Sequence, residues 1–321
     1  MRRNSINQVK EVGLGIYLII FIVVNCFAEE DLSYPADENE KYSVSISRID
    51  DADSPSRKHK NVIVLISNKI TEETKEIQFL ERIRGINQCI VCDSSKAILI
   101  GDLTRSGQMA IVADLISGKV EDSIRNYGLS ISNSKRYLIY KCWYPPYGPP
   151  DMRNSILLFY DLTADSVPNY AYTQKTELKE FAENTPGIPI FPERNASELS
   201  ADPFLEETWY YTSPIAWAPD DTKIAFLAYN TKEKQNYLIC IDFSRGIESP
   251  QIAKRPIFIE DVKSDLYSAE EVASVYSADG SIIYSVAKFS WIREDVVSAT
   301  PEPKYQMLKS GVEFHIPQIQ K

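Results

Sequence analysis

The chain has 321 residues, 44% of them hydrophobic, 25% charged and 11% aromatic, with a net charge of −10. A chain of this length and balance buries enough apolar surface to fold without disulfide or metal staples, which sets disorder aside. Its negative charge repels phosphate backbones, and it has no basic run with interleaved aromatics, so nucleic acid is excluded as a partner.

The N-terminus carries Arg2, Arg3 and Lys10 ahead of an apolar stretch from Leu14 to Ala28, broken only by Gly15 and Asn25. A basic head, a short apolar core and a small final residue describe a secretory signal peptide over residues 1–28, cleaved between Ala28 and Glu29. Two alternatives stand beside it. An uncleaved anchor over residues 13–28 would be the chain's membrane contact, although a spanning helix needs about 20 apolar residues. Lipid attachment at Cys26 is the other, with Asn25 a poor preceding residue. In each version residues 29–321 are extracytoplasmic, either periplasmic or secreted.

Residues 29–321 read as one domain of short strands. Tyr42 to Ile49, Asn61 to Ser67 and Glu76 to Glu81 supply the first three. The loop from Asp50 to Lys60 is charged, and its Asp50, Asp51 and Asp53 lack the alternating ligands, glycine and distal glutamate of a calcium loop. Cys89 and Cys92 form a Cys-x-x-Cys, a redox pair only at a helix start, and strand-like sequence follows here. With Cys142 and Cys240 they allow a disulfide or simply buried core positions. One such pair does not make a zinc site.

From Cys92 onward two landmarks alternate. Turn-forming tetrads begin at Cys92, Ser132, Ala218 and Ser277, followed by the apolar runs Ala97–Ile100, Tyr137–Tyr140, Lys223–Ala228 and Ile282–Val286. Between them, Ile111–Leu115, Leu158–Leu162 and Ile239–Phe243 are β-rich runs that end in Asp plus an apolar residue. Two landmarks in one order, three times over, mark a repeat. The fullest copy is Ser213-Pro214-Ile215-Ala216-Trp217-Ala218-Pro219-Asp220-Asp221-Thr222-Lys223-Ile224-Ala225-Phe226. It resembles the repeat of TolB-like (WD40-like) β-propellers, Ser-Pro-x-Trp-Ser-Pro-Asp-Gly-Lys-x-Ile-Ala-Phe, with Ala218 in place of Ser and Asp221 in place of Gly. Ser277-Ala278-Asp279-Gly280 keeps the family's Asp-Gly, whereas the turns at Cys92 and Ser132 depart from it.

The resemblance implies an all-β propeller of four-stranded antiparallel blades. Cys92 to Ser132 spans one blade of about 40 to 45 residues, and the count reaches five, with six or seven if degenerate blades are included. Residues 174–212 read as a helical and proline-rich loop insertion. Thr176 to Asn184 has helical composition, and Pro186, Pro189 and Pro192 interrupt any ladder. Gly311 to Pro317 closes the last blade.

The chemistry available is narrow. The chain has two histidines, His59 and His315, no Gly-x-Ser-x-Gly and no glycine-rich phosphate loop, so the sequence points to no metal and no cofactor. Propeller relatives that act as serine hydrolases or histidine-dependent lyases are therefore poor matches. A glycosidase would need two carboxylates about 5 to 10 Å apart in the central channel, and no pair stands out. The candidate ligand-binding residues are aromatic: Trp143, Tyr144 and Tyr147 in a proline-stiffened segment, and Trp209, Tyr210 and Tyr211 ahead of the fullest repeat. They either stack on a sugar ring or hold a peptide, or else cap the channel and pack beneath the insertion. Asn195-Ala196-Ser197 is an N-glycosylation acceptor. The expectation is an exported, non-enzymatic binding or scaffold module for a protein or carbohydrate ligand. The alternatives are a glycosidase-like enzyme using channel carboxylates and a membrane-anchored envelope component.

Overall fold

A computed structural model describes residues 36–49, 61–79, 83–103, 108–126, 128–144, 154–168, 186–192, 209–266, 284–303 and 308–318. These residues form five antiparallel sheets. The first holds β1 (Ala36–Glu38), β2 (Tyr42–Ile49), β3 (Asn61–Asn68) and β4 (Thr74–Phe79). The second holds β5 (Ile83–Val91), β6 (Lys96–Leu103), β7 (Gln108–Asp114) and β8 (Lys119–Asn126). The third is β9 (Leu129–Ile131), β10 (Tyr137–Tyr144), β11 (Asn154–Asp161) and β12 (Ile188–Phe191). The fourth contains β13 (Trp209–Tyr211), β14 (Ala216–Trp217), β15 (Lys223–Asn230), β16 (Gln235–Asp242) and β17 (Gln251–Ile257). The fifth contains β18 (Val286–Arg293), β19 (Val296–Pro301) and β20 (Val312–His315).

Strand order follows chain order in every sheet, so each is a meander. In the fourth, β13 and β14 both lie along β15, with Tyr211 opposite Ala228 and Ala216 opposite Ala225. They are two halves of one first strand. Pro214 has no N–H to give the ladder and sits in the break, where Ser213 Oγ accepts the Leu227 N–H at 2.8 Å instead.

Successive side chains of a strand point to opposite faces, and here both faces are buried. On β6, Ala97 and Leu99 join Val44 and Val64 of the first sheet, while Ile98 and Ile100 join Leu138 and Tyr140 of the third. Ile139, Leu157 and Phe159 of the third sheet meet Ile224, Phe226 and Ile239 of the fourth. The opposite face of the fourth presents Ala225, Leu227 and Leu238 to Val286, Val297 and Phe314 of the fifth. Sheets with two apolar faces, packed each against the next in chain order, make an all-β propeller of five blades.

The repeat landmarks have a common hydrogen-bond geometry. The turns are closed by Cys92 N–H to Lys96 O, Ser132 N–H to Tyr137 O and Ala218 N–H to Lys223 O. Each places its fourth residue at positive φ, namely Ser95 (60°), Lys135 (56°) and Asp221 (59°), which is where the TolB-like pattern has glycine. The Asp landmark is an Asx turn. Asp114, Asp161 and Asp242 accept the N–H of Ser117, Thr163 and Ser244, turning the chain out of the strand while Leu115, Leu162 and Phe243 are buried.

Blades are also stitched at their first strands. Asp221 Oδ1 accepts from Asn133 N (2.8 Å) and Nδ2 (2.9 Å), and its Oδ2 from Ser134 N (2.8 Å). Asp37 on β1 accepts from Val91 N at the end of β5 (2.7 Å) and pairs with Lys135 at 3.4 Å. Trp217 Nε1 donates back to Ser130 of the preceding blade, and Trp291 Nε1 donates back to Ala216.

Three expectations need correction or placement. Within residues 174–212, Ile188–Phe191 is a strand. Pro189 is tolerated because β12 lies at the edge of its sheet, where a missing donor costs little. Trp209–Tyr211 is likewise a strand, and Thr176 to Asn184 lies outside the described residues. The fifth sheet has a hairpin that the sequence did not announce, between β18 and β19 around Glu294 and Asp295. Ile316 N–H bonds to Asp295 O there, as Phe243 bonds to Thr222 and Leu162 to Arg136. Ser277–Gly280 lies outside the described residues, and Tyr284 and Ser285 precede the strand. That sheet has three strands among the described residues rather than four.

Cys89 faces the first junction and Cys92 the second, on opposite sides of their sheet. Both, and Cys240, are free, buried thiols that burial pushes up to a pKa of about 12. Nothing is described of the Cys142 side chain. Residues 1–28, expected to be a signal peptide, lie outside the described residues; among those described, no helix is long and apolar enough to cross a membrane.

Candidate ligand cavity

The first strands of the third, fourth and fifth sheets border an open cavity of about 400 Å³. Leu129 and Ser130 of β9 line one side, Tyr211 to Ile215 line another, and Ser285, Val286 and Glu302 come from the fifth sheet. Lys141 reaches in from β10 across Gly128. A Cβ at Gly128 would lie 3.3 Å from Lys141 Cδ, so the bare backbone gives the lysine stem its bed.

The hydroxyls of this lining are largely committed to the scaffold. Ser130 Oγ donates to Ile215 O and accepts from Trp217 Nε1, both at 3.1 Å. Ser213 Oγ donates to Pro214 O at 2.7 Å and Ser285 Oγ donates to Glu302 Oε1 at 2.9 Å. Thr212 Oγ1 is buried and has no hydrogen-bond partner among the described residues.

Lys141 differs from the ion-paired lysines of the scaffold. Lys69, Lys96 and Lys135 pair with Glu38, Glu121 and Asp37. Among the described residues no carboxylate lies within ion-pair distance of Lys141; its ammonium sits 5.2 Å from the centroid of the Tyr211 ring. Burial with no counter-charge lowers its pKa to about 8. The acids move the other way. Burial pushes Asp221 up, but hydrogen bonds from Ser134 and Asn133 outweigh it and hold the carboxyl below its usual range. The same balance lowers Asp37 through Val91 and Lys135, and Asp161 through Arg136 and Thr163.

Of the aromatic candidates, Trp209 is 3% exposed and packs against Phe191 at 5.2 Å and Tyr237 at 5.6 Å, with Lys254 above its ring. Tyr211 is half-buried against Phe226 and lines the cavity, and Tyr210 between them is half-buried. Trp143 and Tyr144 end β10, opposite Ser155 and Asn154. Tyr147 and Asn195–Ser197 lie outside the described residues. Of the candidate aromatics, only Tyr211 lines the cavity among the described residues, with Lys141 of β10 facing its ring. Sequence reasoning missed Lys141, Gly128 and Glu302. The available signal was a single lysine inside the apolar strand Tyr137–Tyr144.

Two more open cavities flank the fourth and fifth blades. One, of about 630 Å³, is bordered by Lys223, Asp242, Arg245 and Asp295, and the other, of about 330 Å³, by Pro219 and Trp291.

Fold and cavity define the class as a β-propeller whose hairpins follow the TolB-like pattern, with a ligand-sized space among its first strands. No family model matches the chain, and no curated protein matches it. Among solved structures it is similar to the β-propeller domain of the Trilobed protease from Pyrococcus furiosus, at 11% identity over 88% of this chain and 71% of that one, with a TM-score of 0.37. It is also similar to the tricorn protease (12% identity, 87% of this chain, 30% of that chain, TM-score 0.36) and to TolB from Acinetobacter baumannii (11%, 82%, 52%, 0.28). The chain thus spans under a third of the tricorn protease and about half of TolB. The fold assignment rests on the five sheets and not on these likenesses.

Proposed function

We propose that this chain is an exported, non-enzymatic propeller that binds a ligand in the cavity between its third, fourth and fifth blades. The cavity carries the proposal: its size falls within the range of small-ligand sites, and its hydroxyls are fixed by bonds to the scaffold. A preformed site loses little entropy when it is filled. Export is supported by the basic-then-apolar leader over residues 1–28.

The glycosidase reading is weaker on charge. It calls for paired carboxylates, one with a raised pKa. Glu302 is the one carboxylate lining the cavity among the described residues, and Asp37, Asp161 and Asp221 are shifted downward.

The test expresses the full chain with its leader, determines the mature N-terminus by mass spectrometry, and screens peptides and oligosaccharides by ligand-observed NMR. The expected results are an N-terminus at Glu29 and binding that Ser285→Trp, which fills the cavity, abolishes. Binding unchanged by that substitution, or turnover of a glycoside, overturns the proposal.

A further inference from the structure

Lys141 is a half-buried cation with no carboxylate within ion-pair distance among the described residues. Its stem lies over Gly128 on the third blade, its ammonium faces the Tyr211 ring on the fourth, and both border the same cavity. A lone ammonium against an aromatic face leaves a place for an anion. Among the described lining residues Lys141 is the one cation and Glu302 the one carboxylate, so a doubly charged phosphate is poorly matched and a single carboxylate is well matched. The rest of the ligand is set by what remains. Ser130, Ser213 and Ser285 give their hydroxyl protons to the scaffold, Thr212 Oγ1 is a buried hydroxyl without a hydrogen-bond partner among the described residues, and Leu129, Pro214 and Ile215 supply apolar contact surface. A lining with so few donors to offer pairs the hydroxyls of a sugar ring poorly, whereas an apolar body needs no such partners.

We infer that Lys141 anchors the carboxylate of a ligand with an apolar or aromatic body, either a free small acid or the C-terminus of an apolar peptide. This rests on the cavity being the binding site. Titration calorimetry at pH 7 compares N-acetylphenylalanine with its amide, the peptide acetyl-Gly-Leu-Phe with its C-terminal amide, and glucuronate with glucose. The acids of the first two pairs are expected to bind at least ten-fold more tightly than their amides, and Lys141→Met and Lys141→Gln are expected to erase that difference. Preference within the first pair alone identifies a free acid, and within the second a peptide terminus. Tighter binding of glucuronate than of either apolar acid, or an acid preference that survives both substitutions, overturns the inference. Equal binding of acids and amides, lost in Ser285→Trp, overturns the carboxylate anchor but leaves the cavity as a binding site. No binding by any probe overturns both.

Discussion

Replacing Lys141 by methionine is expected to stabilise the protein, the reverse of the usual effect of altering a half-buried residue. The fall in its pKa from 10.5 to about 8 means that the folded state disfavours the charged amine by about 3 kcal/mol. That is an upper bound, because the residue keeps some exposure and the ammonium gains about 1 kcal/mol from the Tyr211 ring. Methionine keeps the unbranched stem over Gly128 without the charge, so the net gain at pH 7 is about 2 kcal/mol. The sign with pH follows from proton counting. Between about pH 8 and pH 10.5 the unfolded chain holds the lysine proton and the folded chain does not, so wild-type stability rises with pH across that window. The advantage of the methionine variant is therefore full below pH 8 and shrinks towards zero by pH 10.5. Urea unfolding at pH 7, 8, 9 and 10 on both proteins measures it. A variant less stable at pH 7, or a difference that does not change with pH, would refute the reasoning.

Asp221→Ala removes the acceptor of three inter-blade hydrogen bonds and leaves at positive φ a residue that tolerates it less well than Asp, so a loss of about 3 kcal/mol is expected in chemical denaturation. Asp221→Gly loses the same bonds without the backbone strain and should be about 1 kcal/mol less damaging. Because Asp37, Asp161 and Asp221 titrate below the value of about 3.9 usual for an unfolded aspartate, their stabilisation is complete above that pH and lost as pH falls below it. Asp221→Asn should flatten that acid limb in thermal melts between pH 2 and 4. Cys89, Cys92 and Cys240 should resist a thiol reagent in the native protein and react fully in urea, with mass spectrometry reading each site. Labelling of native Cys89 would show that its junction is not closed.

The repeat was legible because its determinants are local. A tetrad that turns and an Asp that bonds two or three residues ahead do their work within a few residues, and the same turn-closing hydrogen bonds recur from Cys92, Ser132 and Ala218. β12 was lost because proline reads as a breaker, and a sequence does not say that a strand will be at an edge. The hairpin between β18 and β19 went unread because Ile292–Asp295 lacks the family's turn residues, although Asp295 stands four residues after Trp291 as Asp221 does after Trp217. The cavity was out of reach for another reason. Lys141, Tyr211 and Glu302 come from three blades, and only the packing of those blades makes neighbours of them.

The separation of the apolar interior into four clusters, one per junction, has a mechanical consequence. A defect such as a cavity cut at Phe226 loads two neighbouring sheets and reaches the remaining three only by way of them. Stability in such a molecule is additive along a row of contacts, like links in a short chain, and each link can drift under mutation without the others having to follow.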